Sequence, residues 1–195
     1  EIGVRLVGSE MCIRDSGMWE EGTDRNARSF GEAVARQKNP TDLYSGQAYH
    51  ALTWLIYSLS QQGEYDAAED QLALIETQVD QYGDANIGPR RAYVGARAAY
   101  IIDTQQWQNH HASVVIKHDG LNDFSIATDY YLQGIVALNH GDAAGAENAL
   151  DKMGGEEEIL SADREIMAPR LLRLALQGQI ALVAGRQEEA LELIG

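Results

Sequence analysis

The histidines are the side chains of this sequence best suited to metal binding or proton transfer, and five are present. The densest group is His110 and His111, followed by His118 and Asp119. Adjacent residues of a helix point about 100° apart, so His110 and His111 do not converge easily on one ion. No pair of histidines has the His-Glu-x-x-His spacing that places two ligands and a base on one helix face. We therefore expect no metal site, and we interpret these histidines as solvated polar residues.

Motifs for nucleophilic catalysis and for phosphate binding are also missing from the sequence. Ser58 and Ser113 lack the strand–turn–helix setting of a nucleophile elbow. The glycine pair at 154–155 is followed by carboxylates, which would repel a phosphate. The carboxylate runs at 156–158 and 188–189 indicate solvated faces or helix starts. The sequence therefore predicts no catalytic residue, no cofactor and no enzymatic activity.

The composition favours helices over strands. Aromatic residues make up only 7% of the chain, whereas strands draw on aromatic and β-branched side chains. No apolar stretch approaches the roughly 20 residues that span a bilayer, so we expect no membrane span. The formal net charge is −15, from 30 acidic and 15 basic residues. Because such a surface repels phosphate backbones, nucleic acid is not an expected partner.

Residues 1–16 fit neither the composition nor the periodicity of the rest of the chain. The run from Leu6 to Ser16 resembles the translation of a sequencing adapter, so we interpret the segment as non-native and without a defined role. It contains Cys12, the only cysteine, which leaves the remaining chain without a thiol ligand or nucleophile. We also expect the native N-terminus to be missing, which leaves a cytoplasmic and a periplasmic location both open.

From residue 17 onward, one pattern recurs: an apolar-periodic helix, a short turn, and a second helix. Its clearest copy covers residues 49–82, where Gly63 is placed to form a left-handed helix end. One stripe precedes this turn and another follows it, and their members recur at three- and four-residue steps. The stripes are Leu52, Leu55, Ile56 and Leu59, then Ala68, Leu72, Ile75 and Val79. Turns are predicted near 17, 63, 105, 141 and 185, about 36–46 residues apart, which is the range of helical solenoids.

These turns resemble the tetratricopeptide repeat, which has a small residue within its first helix, a turn glycine, an aromatic and then an alanine. Gly63, Tyr65 and Ala68 match the last three features. Two later turns match the small residue, the turn glycine and the alanine: Gly134, Gly141 and Ala146, then Gly178, Gly185 and Ala190. Near Trp107 the turn glycine is absent and Ala98 takes the small position. The resemblance implies an all-α, right-handed superhelical array of antiparallel helical hairpins over 17–195, the C-terminal part of a bacterial protein.

In that family the first helices of the hairpins line a concave groove, so the resemblance also implies a binding face. The groove positions would be His50, Thr53, Tyr57 and Ser60 in one hairpin, and Thr128, Tyr131 and Asn139 in another. A face that is merely exposed to solvent would usually carry Lys and Glu at such positions. Tyrosine, by contrast, offers contact area for a ligand at a low entropy cost. Tyr57 and Tyr131 either contact a ligand or pack against the next repeat, and the sequence leaves both possibilities open.

We therefore predict a non-enzymatic scaffold that binds a protein or peptide of unknown identity in this groove. An alternative is the accessory half of a larger protein whose missing N-terminal half carries a His-based metal or catalytic site. A third possibility is self-association through an uncapped apolar end of the array.

Overall fold

The computed structural model describes residues 17–39, 41–153 and 164–194, and it is all-helical across these ranges. Residues 1–16, with Cys12, and the carboxylates at 156–158 lie outside the described residues. None of the helices that are described combines the length and apolarity needed to cross a membrane. The helices are α1 (Trp19–Ala35), α2 (Gly46–Gln61), α3 (Tyr65–Tyr82), α4 (Ile87–Thr104), α5 (His110–Ser113), α6 (Asp123–Asn139), α7 (Ala143–Lys152), α8 (Arg164–Val183) and α9 (Gln187–Ile194).

The chain forms two compact units, Glu1–Thr104 and Gln105–Gly195. In the first unit, α2 packs against α1, α3 and α4, and α3 also packs against α4. In the second unit, α6 packs against α5, α7 and α8, and α8 also packs against α7 and α9. The single repeat domain over 17–195 stays a prediction, and each unit is described here by itself.

The hairpin of α2 and α3 shows why these residues form helices. The Ser45 hydroxyl caps α2 by accepting from the Ala48 amide at 3.2 Å, which satisfies one of the free amides of the first turn. Beyond α2, Gly63 adopts a φ of +78°, a conformation that costs glycine little and other residues more. The apolar stripes of the two helices then pack against each other. Burying a Leu or Ile side chain in this way stabilises the folded state by about 1.5–3 kcal/mol. Their buried members are Leu52, Leu55, Ile56, Ala68, Leu72 and Ile75, while Leu59 and Val79 are half-buried.

Left-handed backbone occurs at each position where the sequence predicts a turn. Four of these residues are glycines, and the fifth is Gln105, with a φ of 56°. The glycines are Gly17, Gly63, Gly141 and Gly185. The alanines that follow three of the turns are all packed inside: Ala68 and Ala146 are 0% exposed and Ala190 is 2% exposed.

The repeat pattern predicts a full second helix after the turn at Gln105, and this prediction is wrong. The chain forms only the four-residue helix α5 there; Val114 then adopts extended backbone, and the residues from there to His118 belong to no helix. The reason lies in the sequence Val114-Val115-Ile116, because β-branched side chains lose rotamer freedom in a helix and fit extended backbone.

A close approach of α6 and α8 holds the second unit together. A Cβ atom added at Gly134 would lie 2.6 Å from Cδ2 of Leu176, inside contact distance. Leu176 is 0% exposed and belongs to a cluster with Ala146, Ala149 and Ile180. The small residue that the repeat pattern predicts at 134 therefore has a packing role, because a larger side chain would separate the two helices.

Replacing Gly134 by alanine is expected to lower the free energy of unfolding by up to about 2 kcal/mol, because the overlap of the new Cβ with Leu176 costs about 1–3 kcal/mol and the higher helix propensity of alanine offsets up to about 1 kcal/mol of it. Urea unfolding followed by circular dichroism measures this change. The matched control is Gly95→Ala in α4, where a Cβ meets no atom within 4 Å. That variant should gain up to about 1 kcal/mol, since alanine is the better helix former. Unchanged stability in Gly134→Ala would contradict the close approach.

Candidate functional site

A cleft of about 410 Å³ lies in the first unit, where the N-terminal halves of α2 and α4 meet. His50 and Thr53, both predicted groove residues, line it from α2. Asn86 and Arg91 line it from the start of α4, and Tyr44 lines it from the loop before α2. The cleft therefore combines an aromatic ring, an imidazole, an amide and a guanidinium in one concavity.

The buried side chain of Gln78 positions the loop that forms one wall of the cleft. Its carbonyl oxygen accepts from the backbone amide of Tyr44 at 2.9 Å and from the Tyr49 hydroxyl at 3.2 Å. Its amide group donates to the carbonyl of Asp42 at 3.4 Å. Gln78 is only 2% exposed, so these partners replace the water that it loses on folding. Burial also raises the pKa of Tyr49, whose phenol therefore stays protonated and remains a donor.

Two further side chains hold the same loop. The amide of Gln37 donates to the carbonyl of Leu43 at 2.9 Å, and the Tyr82 hydroxyl donates to the carbonyl of Thr41 at 2.8 Å. The Tyr44 ring then packs edge-on against Phe30, with ring centroids 5.5 Å apart. The cleft wall is thus tied to α1 by ring packing and to α3 by hydrogen bonds.

The opposite wall is formed by the start of α4. The side-chain oxygen of Asn86 accepts from the Gly88 amide at 2.8 Å, which satisfies an amide of the first helical turn. Arg91 lies one turn further and is exposed. It makes no hydrogen bond or ion pair with any residue in the part of the chain that the structure describes. Its guanidinium therefore gives this wall a positive charge, in a chain whose net charge is −15.

A row of four rings continues from the cleft along α2. His50 contacts Trp54 with centroids 6.2 Å apart, and Trp54 contacts Tyr57 at 5.9 Å. Tyr57 in turn contacts Trp19 of α1 at 5.7 Å. All three contacts are edge-on, which is a favoured geometry for aromatic pairs. His50 is exposed and the other three rings are half-buried, so the row presents apolar area with polar ring edges.

The other two polar residues predicted for this face use their hydroxyls within α2. The hydroxyl of Thr53 donates to the carbonyl of Tyr49, and that of Ser60 donates to the carbonyl of Ile56, both at 2.9 Å. Thr53 is half-buried and lines the cleft, whereas Ser60 is only 7% exposed and does not line it. The structure thus brings His50, Thr53 and Tyr57 to one face and places Ser60 inside.

The groove residues predicted for the second unit lie along α6. The hydroxyl of Thr128 donates to the carbonyl of Phe124 at 2.7 Å, and the side-chain amide of Asn139 donates to the carbonyl of Ile135 at 2.9 Å. Tyr131 packs against the core cluster around Leu176, and burial raises the pKa of its phenol. The packing alternative therefore has observed contacts for Tyr131. Tyr57 packs against the Trp54 and Trp19 rings but is only half-buried, so both alternatives stay open for it.

The histidine group does not follow the sequence interpretation. His118 pairs with Asp129, with its Nε2 2.8 Å from the carboxylate, rather than with the neighbouring Asp119. Asp129 is 0% exposed and also accepts from the Gln133 amide at 2.8 Å. The expectation of solvated histidines is wrong for His111, which is 2% exposed. The short helix α5 packs against α6, and beyond it the His118 ring contacts both Asp129 and Tyr130 of α6.

Sequence reasoning missed Arg91, Asn86, Tyr44 and Trp54. Asn86 carries a local signal, because it precedes a helix and caps it. Trp54 shares a helical stripe with His50, and that spacing was available. Arg91 and Tyr44 carry no local signal, because their place in the cleft depends on which helices are neighbours.

The chain matches no protein-family model, no curated protein and no solved structure. The tetratricopeptide resemblance therefore stays a prediction from the residue pattern.

Replacing Gln78 by methionine keeps the volume and removes the hydrogen bonds to the loop. The backbone amide of Tyr44 then loses its acceptor, and we expect the free energy of unfolding to fall by about 1–3 kcal/mol. Hydrogen exchange at the Tyr44 amide should accelerate, as measured by NMR. Thr77→Ala is the matched control, because Thr77 is exposed on the same helix and its hydroxyl bonds, among the described residues, only to the carbonyl of Ala73. Equal exchange rates in the two variants would contradict the role of Gln78.

Replacing His118 by alanine should destabilise the protein by about 1.5–3 kcal/mol, because the buried carboxylate of Asp129 loses a hydrogen bond from its ring. The control is Asp119→Ala, which removes the exposed carboxylate next to His118 in sequence and should change stability by less than about 0.5 kcal/mol. Urea unfolding of both variants checks this. A loss in Asp119→Ala as large as that in His118→Ala would contradict the role assigned to the pair of His118 and Asp129.

Proposed function

We propose that this protein is a non-enzymatic binding module of the tetratricopeptide kind, which holds an extended segment of another protein along α2. The ligand would enter the cleft at the start of α2 and follow the row of rings toward Trp19. This proposal keeps the groove predicted around His50, Thr53 and Tyr57, and it omits Ser60, which is buried.

The observation that carries the proposal is the continuity between the cleft and the row of rings. His50 belongs to both, since it lines the cleft and contacts the Trp54 ring. Half-exposed tryptophan and tyrosine rings provide contact area at little entropy cost, and such residues dominate binding energy at protein interfaces. The polar groups at the cleft, His50, Asn86 and Arg91, would give the bound segment its position.

The dimensions suit a short extended peptide. A helix of 16 residues such as α2 is about 24 Å long, which corresponds to about seven residues of extended chain. A cleft of about 410 Å³ holds only part of such a segment, so the rest would lie on the rings. Along this length, apolar and aromatic side chains would provide most of the binding energy, and the charged groups would set the register of the bound segment.

Selection from a phage-displayed library of random peptides tests the proposal. We expect peptides to be enriched on the wild-type protein and to lose about tenfold in affinity on the double variant His50→Ala, Trp54→Leu, a loss of about 1.4 kcal/mol. The matched control is Gln47→Ala, which alters an exposed residue of α2 outside the cleft lining. Circular dichroism would verify that each variant keeps its helical content.

Two outcomes would overturn the proposal. Enrichment of no peptide on the wild-type protein would contradict the binding function. Enriched peptides that bind the double variant and the control equally well would contradict the assignment of this face.

A further inference from the structure

Helices α2 and α4 lie side by side in the same direction, and both ends of the seam between them are defined by contacts. At the first end, His50 and Thr53 face Arg91 across the cleft. At the far end, the Gln61 amide lies 3.5 Å from the carboxylate of Asp103. The seam therefore runs from Arg91 to Asp103, beside the row of rings on α2.

The α4 side of this seam is open at its centre. At about 100° per residue, Gly95 and Ala99 lie about 40° and 80° around α4 from Arg91, and Asp103 lies at about 120°, so the two residues fall between the charged ends. Gly95 is exposed, and a Cβ added there meets no atom within 4 Å. Open space is therefore present beside Gly95, between the two charged ends.

The two ends carry opposite charges. Arg91 is exposed and has no partner among the described residues, as noted above. Asp103 is also exposed, and its contact within the described chain is the neutral amide of Gln61. Partial burial of the carboxylate raises the pKa of Asp103. Twelve residues of helix separate the two charges, a distance of about 18 Å.

We propose that this seam selects a partner segment with one acidic and one basic side chain about five or six residues apart. The acidic side chain pairs with Arg91, the basic one pairs with Asp103, and apolar residues between them lie on the rings of α2. An extended chain covers about 18 Å in that number of residues. A segment bound in the reverse direction would bring like charges together at both ends, so the charges fix the direction of binding. This inference rests on the proposed function and specifies its ligand.

Three labelled peptides with the same four apolar residues at their centre test the inference. One has Glu first and Lys sixth, the second has Lys first and Glu sixth, and the third has Gln at both positions. Fluorescence anisotropy gives their affinities for the wild-type protein. We expect both charged peptides to bind about three- to tenfold more tightly than the Gln peptide, each lying in the direction that pairs its charges, and we expect this preference to weaken at high salt.

A charge reversal at one end of the seam provides the decisive comparison. The variant Arg91→Asp makes both ends acidic and should abolish the preference for the charged peptides, while the Gln peptide binds as before. The matched control is Arg25→Asp on α1, which makes the same change at another exposed arginine, 4.0 Å from Glu21. That variant should leave the preference unchanged.

The outcomes separate this inference from the proposed function. If the Gln peptide binds, loses affinity on Trp54→Leu, and Arg91→Asp does not change the preference for the charged peptides, the inference is wrong and the proposed function stands. If library peptides bind this face but none of the three designed peptides does, the inference is also wrong. If no peptide of any kind binds, both proposals are overturned.

Discussion

The buried carboxamide of Gln78 is the interaction on which the candidate site depends. A single oxygen accepts from the backbone of Tyr44 and from the Tyr49 hydroxyl. These bonds fix the loop that precedes α2, and therefore the position at which Ser45 caps that helix. A polar group in this place costs free energy unless every partner is present, so the loop has few alternative conformations. The cleft follows from the course of this loop.

The helices themselves have little independent stability and depend on their neighbours. The longest run to about 20 residues, and isolated helices of such length are marginal in water. Each is stabilised by burying one face against the next helix, and small residues permit the closest approaches. The contact of Gly134 with Leu176 shows this in the second unit. The same dependence leaves the outer face of α2 available, because its inner face already supplies the packing.

The electrostatics of the seam stand out against the charge of the whole chain. The sequence has twice as many acidic as basic residues, yet the guanidinium of Arg91 beside the cleft has no ion-pair partner among the residues that the structure describes. Coulombic attraction at an exposed site contributes little to affinity, so the rings of α2 would supply most of the binding energy. The charges at Arg91 and Asp103 would then decide which segment binds and in which direction. This division of roles keeps binding selective without a deep pocket.

Local sequence determined the helical class, the left-handed turn at Gly63, the buried stripes that flank it, and the exposure of His50. These features depend on residues within about one or two helical turns of one another, so periodicity and turn chemistry are sufficient to predict them. The end of helix α5 at Val114 was equally local, since the β-branched run from Val114 to Ile116 was available in the sequence, although the expected repeat pattern took precedence over it.

The tertiary structure alone decided which residues became neighbours. Gln78 binds a loop 34 residues before it, and Gln61 meets Asp103 at a separation of 42 residues. His118 pairs with Asp129 and not with the adjacent Asp119. An amphipathic pattern shows which face of a helix is buried but not which helix will cover it, so the cleft and the charged ends of the seam required the packing of α2 against α4. Ser60 illustrates the same limit, because its polar side chain is satisfied within its own helix and buried by its neighbours.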